Sequence, residues 1–94
     1  MFDIGLGENG DVRLVGRLDA AESDRADAFL KGLEQSVVLD CSQLDYISSA
    51  GIGVLIMAYK RLHAAGRTMK LIHMLPRVRN VFVYAGLDRV LTIE

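Results

Sequence analysis

Two adjacent serines followed by two closely spaced glycines form the part of this sequence best suited to chemistry. Within residues 46–55, hydroxyls stand at Ser48 and Ser49 and glycines stand at Gly51 and Gly53. A hydroxyl at the start of a helix can cap that helix. It can also carry a phosphate, because unpaired backbone amides there favour negative charge. Glycine inside a helix costs ~1 kcal/mol relative to alanine, so the two glycines need a reason.

Two explanations account for this serine–glycine segment. In the first, the glycines let the helix pack closely on a strand, and Ser49 caps the helix. In the second, the first turns of the helix form a low, apolar, exposed platform for another protein, with Ser49 at its rim. The residue pattern alone leaves both explanations open.

The known catalytic and nucleotide-binding motifs are missing from the chain. Gly51-Ile-Gly53 begins like a dinucleotide-binding fingerprint, but the sixth position is Ile56 and not glycine. Ser49 is not in a nucleophile elbow, because Ile47 stands where the first glycine of that motif belongs. No phosphate-binding Gly-Lys-Ser/Thr sequence is present. We therefore expect neither enzymatic activity nor a cofactor.

The remaining chemically active side chains fit structural roles better than functional ones. Cys41, His63 and His73 lack the spacing of a zinc site, and the sequence places neither histidine near Ser49. We expect His63 to be partly exposed beyond the apolar part of its helix and His73 to end a strand. Cys41 should pack as a small apolar group. No metal site is predicted.

Length and composition favour one small domain over residues 1–94. The chain has 94 residues, 51% of them apolar, which suffices for a single core. Eleven basic and twelve acidic residues give a net charge of −1, which argues against nucleic-acid binding. A single cysteine excludes an intrachain disulfide and fits a reducing compartment.

No export or anchoring signal is visible in the sequence. The longest apolar stretch, residues 50–59, is half of the ~20 residues that a membrane-spanning helix needs. No basic leader precedes an apolar run near Met1. The expectation is a soluble, cytoplasmic domain without direct membrane insertion.

Hydrophobic periodicity predicts strands alternating with helices. Residues 2–6 and 12–18 alternate apolar and polar side chains around an Asn9-Gly10 turn, which predicts an antiparallel hairpin. The remaining predicted elements are a helix starting at Asp19, a strand at Val37–Leu39, a loop after Asp40, a helix from Ser49 to Ala65 ended by Gly66, a strand at Met69–His73, a helix from Pro76 ended by Gly86, and a strand at Val90–Ile93.

The order ββαβαβαβ predicts an α/β fold: a mostly parallel β-sheet with an N-terminal antiparallel hairpin and with helices packed on the sheet. The continuous apolar run 37–39 is typical of a strand covered on both faces. In the second helix, a 3.6-residue period places these apolar residues on one face: Ile52, Leu55, Ile56, Tyr59 and Leu62. The period leaves Gly53, Val54, Met57 and Ala58 on other faces.

Three sequence elements resemble one known family. Ser48-Ser-Ala-Gly-Ile-Gly-Val-Leu55 looks like the signature of the STAS domain, found in bacterial anti-sigma factor antagonists and in sulfate-transporter tails. Gly16-Arg-Leu-Asp19 and Ala85-Gly-Leu-Asp88 match two further recurring elements of that family. Together the three cover nearly the whole chain in the right order, and they imply a single STAS domain.

The resemblance assigns roles to individual residues. Ser49 falls on the serine that is phosphorylated in the antagonist branch. Ser48 falls where many members carry Asp, and it is an alternative phosphate acceptor. Ala50 falls where some members carry a second hydroxyl. Asp19 aligns with an acidic residue of the kinase-facing surface, although its other explanation is a plain helix N-cap.

The resemblance also implies a function. The unmodified chain would bind a serine-kinase anti-sigma factor, which would use ATP to phosphorylate Ser49 and so end the interaction, and a serine phosphatase would reset the switch. Independently of the resemblance, Asp40, Asp45 and also Asp19 could add to the negative field around the phosphate. The implied partner-binding set is Asp19, Ser48, Ser49, Ala50, Gly51, Gly53, Val54 and Met57.

Other functions remain open at this point. The chain could be a non-phosphorylated STAS subunit that regulates or assembles a membrane transporter, including an ABC-type lipid transporter. It could also be a STAS scaffold that binds a small ligand. Exposed Val54 and Met57 could serve a weak homodimer as well as a kinase, so both a monomer and a homodimer are compatible with the sequence.

Overall fold

Strands and helices follow one another in the predicted order. The computed structural model describes residues 1–94. Its elements are strand β1 Phe2–Leu6, strand β2 Val12–Leu18, a 3-10 turn Ala20–Glu22, helix α1 Ser23–Lys31, strand β3 Val37–Ile47, helix α2 Ser49–Ala64, strand β4 Met69–Ile72, helix α3 Pro76–Tyr84, a 3-10 turn Leu87–Arg89 and strand β5 Thr92–Ile93. The predicted α/β fold is confirmed.

The five strands form one sheet in the order β1-β2-β3-β4-β5. β1 and β2 are antiparallel, and every other neighbouring pair is parallel. The predicted hairpin turn is present: Gly10 has φ +88°, and the Asn9 side-chain oxygen accepts the Asp11 N–H at 3.1 Å. This backbone conformation favours glycine, so the Asn-Gly pair fixes the hairpin.

All three helices pack on the same face of the sheet. Each parallel crossover moves one strand further in the same direction, and right-handed crossovers then place their helices on one side. Twenty buried apolar side chains from the helices and from that face form a single core. The expectation of a strand covered on both faces is therefore wrong: Val38 points to the open face and is only half-buried.

The predicted loop after Asp40 is also wrong, because β3 continues to Ile47. Its pairing with β2 contains two register shifts, and these turn Cys41, Leu44 and Ile47 toward the core at three-residue intervals. Such bulges break the two-residue alternation by which a strand is recognised. This irregular half of β3 extends beyond the end of β4, which pairs with β3 only as far as Asp40.

The face of helix α2 that lies on the sheet agrees with the predicted one only at Leu55 and Leu62. Its buried residues are Gly51, Leu55, Ala58 and Leu62, whereas Ile52, Ile56 and Tyr59 are half-buried. Ala58, which we expected on another face, belongs to the core. Small side chains let the helix approach the strands closely, so the contact line includes Gly51 and Ala58 together with Leu55 and Leu62.

Candidate functional site

The site lies where strands β2 and β3 end side by side. Leu18 and Ile47, the last residues of the two strands, are paired in register. The Ser48 N–H donates to the Leu18 carbonyl oxygen at 2.9 Å, so this bond holds the start of α2 against the end of β2. This bond anchors the serine–glycine segment to the buried end of β2.

Ser48, and not Ser49, caps helix α2. Its backbone is extended, with φ −90° and ψ 171°, and its hydroxyl oxygen accepts the Gly51 N–H at 3.2 Å. The explanation in which Ser49 caps the helix is therefore wrong. A capping hydroxyl satisfies one of the amides that the helix start leaves unpaired, so the Ser48 oxygen has a structural role.

Ser49 is the first residue of α2 and is exposed. Its hydroxyl forms no hydrogen bond within the chain, in contrast to that of Ser48. The first turn of α2 contains no acidic residue, so no carboxylate there competes for the positive end of the helix. Ser49 therefore offers a free hydroxyl at a position that tolerates added negative charge.

The two glycines have different roles. A Cβ at Gly51 would lie 2.8 Å from Leu18 Cγ and 2.9 Å from Ile47 Cγ1, whereas a Cβ at Gly53 would meet nothing within 4 Å. Gly51 is buried and permits close helix–strand packing. The prediction that Gly51 binds a partner is therefore wrong, because this glycine is buried on the sheet-facing side of α2 and presents no surface to a partner.

The outward side of the first turns of α2 is apolar. We call Ser49, Ala50, Gly53, Val54 and Met57 the α2 platform. Ser49 and Ala50 are exposed, Gly53 and Val54 are half-buried, and Met57 is 63% exposed. Packing does not require the glycine at position 53, since space is open above it. An exposed methionine beside small residues is typical of an adaptable protein-binding surface.

Asp19 acts as a cap for the 3-10 turn that precedes α1. Its carboxylate accepts the Glu22 N–H at 3.2 Å, and its carbonyl accepts the Ser23 hydroxyl at 2.9 Å. The N-cap explanation of Asp19 is thus confirmed. Because Asp19 directly follows Leu18, it lies next to the start of α2 as well, and a contact with a partner stays a prediction.

The acidic residues predicted to surround the site are engaged elsewhere. Asp45 lies 3.4 Å from the Arg77 guanidinium. Partial burial of Asp40 raises its pKa, but hydrogen bonds from the Ser42 N–H and hydroxyl and from His73 outweigh that effect. The pKa of Asp40 is therefore lowered. Arg77 offsets the charge of Asp45, so the negative field proposed for these residues is weaker than their number suggests.

Cys41 and the two histidines occupy the structural positions expected of them. Cys41 is buried, and burial followed by the Asp40 charge raises its thiol pKa to about 12. His63 is exposed and stacks on Tyr59 at a ring distance of 5.5 Å. His73 directly follows β4 and lies 3.5 Å from Asp40. None of them hydrogen-bonds to Ser49.

Sequence reasoning missed two arginines. The Arg17 guanidinium stacks over the Tyr46 ring at 4.2 Å, on the open face of the sheet. Arg61 in the last turn of α2 donates to the carbonyl oxygens of Leu30 and Leu33, at the end of α1. The strand register that pairs Arg17 with Tyr46 contains a bulge, and the Arg61 contact joins two helices. No local pattern could have revealed either contact.

The surface around the serines is not concave. Four cavities open on the protein, and none is lined by Ser48, Ser49, Ala50 or Gly53. No three side chains of His, Cys, Asp or Glu lie together as metal ligands would. None of the helices combines the length and the apolar character that crossing a bilayer requires. An exposed apolar surface without a cavity at the serines suits contact with a protein better than enclosure of a small ligand.

Known proteins are similar to this chain in both sequence and fold. The family model described as "Mlab, STAS domain" matches residues 5–93. "Putative anti-sigma factor antagonist BtrV" of Bordetella bronchiseptica is 38% identical over 78% of this chain and 66% of that protein. An "Anti-sigma F factor antagonist" of Lysinibacillus sphaericus is 34% identical over 81% of this chain and 69% of that protein. The chain thus spans about two thirds of the length of these relatives.

Solved structures agree with this likeness. A "putative anti-sigma factor antagonist" from Thermotoga maritima superposes with a TM-score of 0.80 at 21% identity, covering 99% of this chain and 85% of that one. SpoIIAA, described as a Bacillus cell fate determinant in the phosphorylated form, gives 0.70 at 20% identity, covering 100% and 91%. At these identities the superpositions establish the fold. The family-model match over residues 5–93 shows that the chain belongs to the STAS domain family, and proteins named anti-sigma factor antagonists are among its relatives.

Proposed function

We propose that this chain is an anti-sigma factor antagonist that is switched by phosphorylation of Ser49. The observation that carries the proposal is that the hydroxyls of the two serines have different surroundings. The Ser48 hydroxyl accepts the Gly51 N–H as the helix cap, whereas the exposed Ser49 hydroxyl is free at the rim of the α2 platform. The names of two sequence relatives support the antagonist role. The description of SpoIIAA in a phosphorylated form supports the modification.

In this proposal the chain is a binding module and a substrate, while a serine-kinase anti-sigma factor supplies the catalytic groups and ATP. The Ser49 oxygen attacks the γ-phosphorus, the bond to ADP breaks, and the hydroxyl proton passes to a base of the kinase. A serine phosphatase hydrolyses the phosphoserine and restores the hydroxyl. The chain needs no cofactor of its own for either step.

Phosphorylation would switch the interface and leave the fold intact. A phosphate adds about −1.5 to −2 charges, so the formal net charge of −1 becomes roughly −2.5 to −3. The start of α2 tolerates this charge because its amides and dipole favour an anion. A partner that covers the platform would have to strip water from the phosphate, which opposes binding.

Incubation with the cognate kinase and ATP, followed by intact-mass measurement and peptide mapping, tests the proposal. We expect the wild type and Ser48→Ala to gain one phosphate and Ser49→Ala to gain none. Ser48→Ala is the matched control, because it removes the neighbouring hydroxyl. A phosphate that persists in Ser49→Ala and disappears in Ser48→Ala would move the switch to Ser48.

A pull-down with wild type and Ser49→Asp side by side tests the binding half. We expect a kinase to be retained by the wild type and lost with the aspartate. The matching family model is described as Mlab and names no sigma-factor regulator, so a second candidate function is kept: a STAS subunit of a transporter assembly. Retention of a transporter ATPase by both forms would favour that function and overturn the antagonist role.

A further inference from the structure

A groove runs between helices α1 and α2 beside the platform. It has a volume of about 260 Å³ and is lined by Asp27, Leu30, Lys31, Met57, Ala58 and Arg61. Leu30 and Ala58 are buried and form an apolar floor. The small Ala58 side chain leaves the space that a larger residue would fill. The groove therefore has room for a large apolar side chain from outside.

Charged side chains surround this floor. Lys31 and Asp27 form an ion pair at 2.8 Å across one turn of α1, so their charges largely offset one another. Arg61 donates to two carbonyl oxygens at the end of α1 but has no carboxylate within ion-pair distance. Its side chain is exposed. The rim thus carries one positive charge that no carboxylate of the chain neutralises.

Met57 joins the groove to the α2 platform. It is a lining residue of the groove and, at 63% exposure, also the most prominent apolar side chain of the platform. A partner that covers the first turns of α2 would reach the groove without a gap. Interfaces concentrate binding energy where an apolar anchor fills such a concavity.

We propose that this groove receives a segment of the partner that places a large apolar side chain on the Leu30–Ala58 floor and a carboxylate against Arg61. The inference rests on the proposed function, because the partner is the same kinase that contacts Ser49. A second copy of this chain is the competing occupant, and the oligomeric state of the wild type distinguishes it from the kinase.

Charge variants on α1 test the groove separately from the platform, since α1 carries none of the platform residues. With the cognate kinase in surface plasmon resonance, Lys31→Glu is expected to raise Kd about 5-fold, because it opposes the partner carboxylate. Asp27→Asn is expected to lower Kd about 2-fold, because it removes the one negative charge of the rim. Effects of opposite sign from the exposed Lys31 and the half-buried Asp27 distinguish electrostatic docking from a loss of structure.

Met57 tests the apolar anchor. Met57→Glu is expected to raise Kd about 10-fold or more, whereas Met57→Leu keeps the apolar volume and should stay within about 2-fold of wild type. Arg79→Glu on α3 is the charge control for Lys31→Glu: it makes the same change of net charge away from the groove and should leave Kd unchanged. Circular dichroism melting curves verify that every variant is folded.

Failures of the two proposals have different signatures. If the wild type binds no kinase at all, the proposed function is overturned and this inference with it. If the wild type binds and Ser49→Asp weakens binding, but Lys31→Glu and Asp27→Asn match the wild type, the groove alone is overturned. A dimer in sedimentation velocity that Met57→Glu converts to a monomer would also overturn it, by assigning the groove to a second copy.

Discussion

The hydroxyls of Ser48 and Ser49 face different surroundings although the residues are adjacent. The Ser48 oxygen accepts a first-turn amide, and the Ser48 N–H is bonded to β2, whereas the Ser49 side chain contacts solvent. A change in helix register by one residue would exchange these roles. The bond between Ser48 and Leu18 fixes the register, so the end of β2 determines which serine is free.

Removing each hydroxyl in turn measures this difference. Ser48→Ala is expected to lower the free energy of unfolding by about 0.5–2 kcal/mol, the usual cost of losing an N-cap. Ser49→Ala should change it by less than about 0.5 kcal/mol, as for an exposed surface substitution. Urea unfolding followed by circular dichroism gives both values. Equal destabilisation by the two variants would contradict the assignment of the cap.

The two glycines make a second matched pair. Gly51→Ala is expected to destabilise the fold by about 1–3 kcal/mol, because the new methyl group would meet Leu18 and Ile47 at less than 3 Å. Gly53→Ala should be neutral or stabilising by up to about 1 kcal/mol, since alanine is the better helix former and space is open. Thermal unfolding compares them. A stabilised Gly51→Ala would show that the helix lies further from the sheet.

The sequence predicts the helices and strands whose hydrophobic pattern is periodic, and it misses the segments whose pattern is irregular. The Asn9-Gly10 turn fixes the hairpin locally, and helix α2 was predicted within one residue at its end. The second half of β3 was missed because its bulges against β2 replace the two-residue period. The buried face of α2 differs from the predicted one because the small residues Gly51 and Ala58 let that side of the helix lie close to the sheet. Which glycine packs and which is open depends on β2, which is more than 30 residues away in sequence.

Arg61 connects helix α2 to the end of helix α1. Its guanidinium donates to the carbonyl oxygen of Leu30 in the last turn of α1 and to that of Leu33 just beyond the helix. Arg61→Met keeps much of the aliphatic contact but loses these bonds, so it should lower the free energy of unfolding by roughly 0.5–1.5 kcal/mol. Urea unfolding tests this, with Arg79→Met on α3 as a control expected to have little effect. An equal loss in both variants would contradict a bridging role for Arg61.

For the whole molecule, strand order and crossover handedness decide more than any single motif. The order ββαβαβαβ with short connections gives successive neighbouring strands, so all helices lie on one face and the other face stays open. The open face alternates charged residues such as Arg13 and Lys70 with half-buried Val15, Val38 and Ile72. The apolar half of the composition thus serves mainly the single covered face, together with the α2 platform.

The buried thiol of Cys41 should make the folded protein less stable at alkaline pH. In the folded chain its pKa is raised to about 12, first by burial and then by the charge of Asp40, against 9.0 for the ordinary thiol. Below pH 9 both folded and unfolded chains hold the proton, so the thiol does not oppose folding there. Between pH 9 and 12 only the unfolded chain releases it, and stability falls with rising pH by up to about 1.4 kcal/mol per unit.

Comparison of the wild type with Cys41→Ala isolates the contribution of the thiol. The alanine variant carries a fixed packing cost but no thiol, so the stability advantage of the wild type should shrink as pH rises from 8 to 10.5. Urea unfolding at both values, with a reducing agent present, measures that advantage. An advantage independent of pH would mean that solvent reaches the thiol of the folded chain, which contradicts a closed core beneath the α2 helix.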